Sequence, residues 1–230
     1  MWESDEGKTV SYWQASKDGP TTNSLNAGAE ADVCIIGGGI AGLTAAYLLS
    51  KAGRSVIVID DGPIGGGETA RTTAHLSWAI DDRIYRIAKW HGNEKARLAV
   101  EAHAAAVQLI EQVVSDENID CDFSRLDGYL FEAEDGEDDL DRELDAAHLL
   151  GFHQVEMLDG LAVRGFKARR AIRFPGQGQF HILKYLSGLA KAIERNGGRL
   201  FSNTRAMEWK DEDAPGVKLQ NSGSVRPRAR

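Results

Sequence analysis

Apolar and polar positions alternate in blocks along this chain, and the blocks predict its elements. The run Val33-Cys34-Ile35-Ile36 is short and continuously apolar, the pattern of a strand buried on both faces of a parallel sheet. Three glycines follow it, and Ile40–Lys51 then reads as a helix that stops at Gly53. A second apolar run, Val56-Ile57-Val58-Ile59, leads into Asp60-Asp61. Strand, helix and strand with short joints predict a βαβ unit with a right-handed crossover.

Beyond it, Gly62–His75 is too polar and glycine-rich to predict regular structure. Helices are expected over 82–91 and 94–115, the second with Leu98, Ala102, Ala105, Leu109, Ile110, Val113 and Val114 at helical spacing. Residues 128–132 read as a strand. From Glu132 to Asp145 there are nine acids and one base, which reads as a solvated helix face, since calcium-ligand spacing is absent. Short strands are expected over 161–174. From His181 to Asn196 an amphipathic helix turns Ile182, Leu183, Tyr185, Leu186, Leu189 and Ile193 inward and stops at Gly197-Gly198. Strands over 199–201 and 205–209 follow. Residues 1–30 hold few large apolar groups and read as an arm, with Trp13 docked on the body. Residues 221–230 show no periodicity and read as an irregular tail.

Composition narrows the function. The 230 residues carry 27 basic and 35 acidic side chains, a formal net charge of −8. That balance lacks the basic footprint of a nucleic-acid or anionic-membrane binder. No stretch is apolar for the roughly 18 residues a membrane span requires, and the N-terminus lacks a secretory pattern. A reducing, cytoplasmic setting is expected. Cys34 and Cys121 are too few for a disulfide framework or a four-thiolate metal site, and both read as core packing. No metal ligands are assigned.

Glycine is overused, and nine of the 25 glycines lie between Gly37 and Gly67. Gly37-Gly38-Gly39-Ile40-Ala41-Gly42 is a G-x-G-x-x-G pattern placed between a strand and a helix, where its mechanism requires it. Gly37 permits the tight turn, Gly39 lets backbone approach a pyrophosphate, and Gly42 lets the helix pack on the strand. The pyrophosphate then meets free N–H groups at the positive end of the helix dipole. Asp60, at the end of the second strand, accepts from ribose hydroxyls and repels a 2′-phosphate. The motif alone does not separate FAD from NAD. The loop Gly65–His75 adds hydroxyls on Thr69, Thr72 and Thr73 that suit phosphate or ribityl oxygens of a long dinucleotide. A flexible surface loop has the same composition.

The chain resembles the D-amino-acid oxidase superfamily of FAD-dependent oxidoreductases, in particular the branch with a C-terminal Rieske domain. The resemblance rests on Trp13, ADVCIIGGGIAGLTAAYLLSKAG, VIDDGPIGGGETARTTAHL, IDCDF, GYLF, FPGQGQFHILKYLSGLAKAIERNGG and NTRAMEW, in register over about residues 13–209. It implies that Gly37, Gly39, Ile40, Ala41 and Gly42 hold the FAD pyrophosphate and Asp60 the ribose. Thr69, Thr72, Thr73 and Ala74 would line the path to the isoalloxazine ring, and the Ala206 backbone would meet adenine. It further implies oxidation of a C–N bond in a small amine or amino-acid-like substrate, with the electron acceptor open. The expected fold is α/β: a Rossmann-type FAD-binding domain over 31–80 and 175–220, with an inserted α+β substrate domain over 81–174. The Cys-x-His and Cys-x-x-His pairs of a Rieske centre are absent, since Cys34 precedes Ile35-Ile36 and Cys121 precedes Asp122-Phe123. Members of that family are longer, so the chain reads as an N-terminal portion. A truncated, inactive FAD-binding fragment is therefore the alternative, and an NAD-dependent enzyme a further one. No catalytic residue is assigned. His75 ends the threonine loop and suits either a hydrogen bond to the flavin or a structural bond; His181 reads as a helix cap.

Overall fold

The computed structural model describes residues 10–131, 139–163, 166–210, 216–221 and 223–227. In chain order the elements are α1 (Tyr12–Ser16), β1 (Ala29–Ala31), β2 (Val33–Ile36), α2 (Ile40–Lys51) and β3 (Val56–Ile59). A 3-10 turn (Glu68–Arg71) comes next, then β4 (His75–Leu76), α3 (Ile84–His91), α4 (Asn93–Asp116), β5 (Ser124–Phe131) and α5 (Leu140–Leu149). The strands β6 (Glu156–Leu158), β7 (Leu161–Val163), β8 (Phe166–Ala168) and β9 (Ala171–Gln179) precede α6 (Ile182–Arg195). The last four are β10 (Arg199–Phe201), β11 (Ala206–Lys210), β12 (Gly216–Leu219) and β13 (Ser224–Pro227).

The chain divides into two compact units, one of Met1–Thr73, Val114–Cys121 and His181–Arg230, the other of Ala74–Val113 and Asp122–Phe180. In the first, β10, β3 and β2 form a parallel sheet in that order. The βαβ unit β2–α2–β3 is present as the sequence predicts. Its central strand β3 is buried throughout, each residue at most 1% exposed. The edge strand β2 departs from expectation: its first three residues are half-buried and Ile36 is 51% exposed. The two runs look alike in sequence, but β2 pairs on one side only.

Helices α2 and α6 pack together, with Leu43, Tyr47, Leu186 and Leu189 buried. Both stop by the same device. Gly53 and Gly197 take left-handed backbone (φ 79° and 84°), and the next N–H closes onto Leu49 O at 3.0 Å and Ile193 O at 2.9 Å. A second sheet in this unit, β1-β13-β12-β11, covers a core of Leu25, Ala31, Ile57, Ile59, Val217, Leu219 and Val225.

Two expectations are corrected in this unit. The tail is not irregular over its described part, because β13 pairs with β1 and with β12. Val225 alone carries its burial, at 2% exposure, so no periodicity marks it. The arm likewise has its own structure, the capped helix α1 and the strand β1.

In the second unit β9 is the hub, paired antiparallel with β4, β5 and β6, while β7 and β8 form a separate pair. Strand β5 begins at Ser124, four residues before the sequence pattern suggests. Trp78, Ile84, Ala96, Val100, Leu140, Ala147, Ile172 and Phe174 lie in one core. Helix α4 has the expected extent but a different inward face. Ala96, Val100, Val107, Ile110 and Val113 are buried, while Leu98 is 51% exposed and Ala102 and Ala105 face outward. Of the acidic stretch, residues 132–138 lie outside the described residues. Glu143 is not on a solvated face: it is buried and accepts from the Ile84 and Tyr85 N–H groups at 3.0 and 3.2 Å, capping α3. Among the described residues no helix is long and apolar enough to cross a membrane.

Candidate cofactor site

The glycine turn between β2 and α2 is shaped by backbone sterics. Gly37 sits at φ 110°, a conformation L side chains rarely adopt, and its N–H donates to Ile59 O at 2.8 Å. A Cβ on Gly42 would lie 2.0 Å from Gly37 O, so only glycine lets the first helical turn come this close to the strand end. Gly39 caps α2 with extended backbone and no side-chain bond, and Leu43 N–H makes the first helical bond to its carbonyl at 2.9 Å. By helical geometry, the N–H groups of Gly39, Ala41 and Gly42 have no carbonyl within the helix to donate to. That leaves a positive, donor-rich backbone end.

Asp60, at the end of β3, reaches back to this turn. Its Oδ2 accepts from Gly38 N–H at 2.7 Å and its Oδ1 from Gly62 N–H at 2.8 Å. Its backbone is pinned from the other side: its N–H donates to Phe201 O at 3.0 Å and its carbonyl accepts from Thr204 N–H at 2.7 Å. Each carboxylate oxygen keeps a second lone pair, so hydroxyl donors can share it. Thr69 Oγ1 accepts from Ile40 N–H at 3.2 Å, which places a hydroxyl at the N-terminus of α2 with its own proton left to donate. The loop is therefore not without regular structure, since Thr69 lies in the 3-10 turn closed by Ala70 N–H to Gly67 O at 3.1 Å.

Of the residues singled out in the sequence, hydrogen bonds bring the glycine turn, Asp60 and Thr69 together in the first unit. Thr72 and Thr73 follow the 3-10 turn with exposed side chains. Ala206 opens β11 opposite Leu219. Ala74 begins the second unit with left-handed backbone (φ 58°), and His75 next to it is exposed in β4. His181 caps α6 through Nδ1, which accepts from Lys184 N–H at 3.3 Å. Burial pushes the Cys34 thiol up to about 11, so it stays protonated and inert near neutrality.

Sequence reasoning missed Gly38, whose carbonyl also accepts from Gly65 N–H at 2.9 Å, tying the loop to the turn. Gly65 itself is left-handed at φ 77°. The uninterrupted triplet Gly37–Gly39 was the available signal. It also missed the arm's bonds to the loop: Ser11 Oγ donates to Ala70 O, and Trp13 Nε1 to Thr72 O at 2.7 Å.

The arrangement fits a dinucleotide. A glycine-lined backbone approach, a helix N-terminus with N–H groups that have no helical partner and a carboxylate at the end of the next strand are what a pyrophosphate and a ribose require. Comparison with known proteins agrees. A protein of Bacillus subtilis named as a Rieske 2Fe–2S iron–sulfur protein, YhfW, is 35% identical over 219 residues, covering 94% of this chain and 42% of its own length. The gamma-glutamylputrescine oxidoreductase of Escherichia coli is 32% identical over 227 residues, covering 94% of this chain and 52% of its own. The chain thus spans about half the length of these relatives. Among solved structures, the glycine oxidase of Geobacillus kaustophilus superposes with a TM-score of 0.67 at 20% identity, over 87% of this chain and 54% of that one. The model of the FAD-dependent oxidoreductase (DAO) family matches residues 32–229. With most of its length inside that match and the glycine turn built as the cofactor requires, the chain belongs to the family of FAD-dependent oxidoreductases, α/β proteins whose cofactor is FAD.

Proposed function

We propose that the first unit holds FAD and that the chain serves a flavin-dependent oxidation of a C–N bond in a small amine or amino-acid-like substrate. The carrying observation is the 2.0 Å approach that a Cβ on Gly42 would make to Gly37 O, beside donors with no helical partner. In this reading the backbone N–H groups of Gly39, Ala41 and Gly42 bind the pyrophosphate. Gly37 and Ile40 complete the turn, and Thr69 donates its free proton to a phosphate oxygen. Asp60 accepts from the ribose hydroxyls with its remaining lone pairs, while its charge rejects a 2′-phosphate. Thr72, Thr73 and Ala74 lead toward the ring end, and the Ala206 backbone serves adenine. The second unit contributes the substrate side. FAD, when bound, supplies the two-electron acceptor for a hydride leaving the substrate carbon. The protein's share is to bind, orient and exclude water.

The amine or amino-acid class is supported by the printed names of the relatives and neighbours, among them an L-amino acid deaminase of Proteus myxofaciens at a TM-score of 0.68. Titrating the chain with FAD and following flavin absorbance tests the reading. Saturable binding with spectral change is expected, and no binding overturns it. A second reading is FAD binding without turnover. Bound flavin that no candidate amine bleaches under anaerobic conditions selects it.

A further inference from the structure

We propose that the segment Ser11–Asp18 is a strap that sets the position of the threonine loop, with Trp13 as a positioning residue for the ring half of the cofactor. This rests on the FAD reading above.

The strap is fastened at both ends. Toward the loop, Ser11 Oγ donates to Ala70 O and the Trp13 indole N–H donates to Thr72 O at 2.7 Å, both across 59 residues of sequence. The short helix α1 is itself locked by a capping box. Ser11 Oγ accepts from Gln14 N–H at 3.1 Å, and Gln14 Oε1 accepts from Ser11 N–H at 3.1 Å. Toward the body, the Trp13 ring meets the buried His181 ring edge-on, with centroids 4.9 Å apart. Because His181 Nδ1 accepts from Lys184 N–H, the neutral ring carries its proton on Nε2, which faces Asp18 Oδ2 at 3.3 Å. Ser187 Oγ donates to the Asp18 carbonyl. His181 caps α6, and Lys184 and Ser187 lie in its first two turns; its inner face is packed in the core.

These bonds form a relay from a rigid helix to the loop. The anchor is α6, the strap crosses it, and the strap holds the carbonyls of Ala70 and Thr72 on either side of Arg71. One residue upstream, Thr69 keeps its hydroxyl on Ile40 N–H. The loop carbonyls held by the strap therefore lie on the stretch assigned to the ring half. The glycine turn and Asp60, assigned to the ADP half, use none of the strap's bonds.

This division gives the test. FAD and ADP are titrated separately against the wild-type chain, Trp13→Phe and Trp13→Ala. ADP probes the turn, Asp60, the Thr69 hydroxyl and the Ala206 backbone, none of which the strap bonds. Trp13→Phe keeps the ring against His181 but loses the donor, and is expected to weaken FAD about 5–10-fold with ADP within about twofold. Trp13→Ala is expected to weaken FAD about 30–100-fold, again sparing ADP. In the ligand-free state, trypsin is expected to cut after the exposed Arg71 faster in both variants than in the wild type. Unchanged FAD affinity in Trp13→Ala, or equal loss of FAD and ADP, overturns the strap while leaving the FAD reading intact. A wild-type chain that binds ADP and FAD equally overturns the strap's role in holding the ring half; one that binds neither overturns the FAD reading, and the strap's role falls with it. Far-UV circular dichroism on each variant separates a folding defect, for which Trp13→Phe is the safer test.

Discussion

The glycine turn and the threonine loop both border the N-terminus of α2, and they reach their shapes by opposite means. The turn is fixed by what its own residues lack. Gly37 takes a φ of 110°, and a Cβ on Gly42 has no room beside Gly37 O. The loop is fixed by what distant residues supply: Ile40 bonds Thr69 from 29 residues away, and Ser11 and Trp13 bond Ala70 and Thr72 from 59. One region is a local steric solution and the other a tertiary one. A demand on the cofactor's phosphates, the same in every dinucleotide, suits the first. The second leaves the reach and angle of the ring end adjustable by substitutions far from it.

The largest effect should come from Gly42→Ala. Its new methyl would collide with Gly37 O and lie 3.1 Å from Gly37 C, both backbone atoms that no rotamer change can clear. Either α2 or the end of β2 must move, at a cost of about 1–3 kcal/mol or more. A lower melting temperature and a loss of FAD affinity beyond about 100-fold are expected together. Gly39→Val should split those two effects. Gly39 has ordinary extended backbone, and its Cβ would meet only Thr69 Oγ1, at 2.9 Å, the end of a rotatable side chain. The fold should persist with melting near that of the wild type. Binding should be abolished, because the isopropyl group stands where the pyrophosphate approaches. Equal melting losses in the two variants, measured by calorimetry, would show that the turn is not the local device described.

This contrast also explains what was legible in the sequence. Requirements that fall on residue type leave a mark: the tight turn at Gly37 and the close packing at Gly42 were readable from spacing alone. The inward face of α6 was equally plain, because all six apolar residues read as inward are buried. The strap's acceptors, in contrast, are the carbonyls of Ala70 and Thr72, which any residue offers. No pattern could announce them. Edge and centre are likewise invisible locally. Val33–Ile36 and Val56–Ile59 carry the same apolar run, and only the strand order makes Ile59 buried and Ile36 exposed. In α4 the misread face has another cause. An alanine-rich helix offers several apolar stripes of similar strength, and the buried one runs through Ala96, Val100 and Val107.

The smallest effect, and the finest probe of the boundary between the two regions, is Thr69→Val. It removes the hydroxyl that accepts from Ile40 N–H while keeping a branched side chain of similar bulk. The site is half-buried, so water can take over part of the lost bond, and the cost to stability should be about 0.5–1 kcal/mol. FAD affinity should fall only about 3–10-fold, because the helix N–H groups and dipole remain. Thr69→Ser, which keeps the oxygen, should restore most of both. The affinity lost in Gly39→Val and Gly42→Ala, set against the smaller loss in Thr69→Val, then measures how far binding rests on backbone shape rather than on the loop's side chains. If Thr69→Val costs as much affinity as Gly39→Val, the hydroxyl at the helix end is the principal phosphate contact. The loop, rather than the turn, would then be the seat of binding.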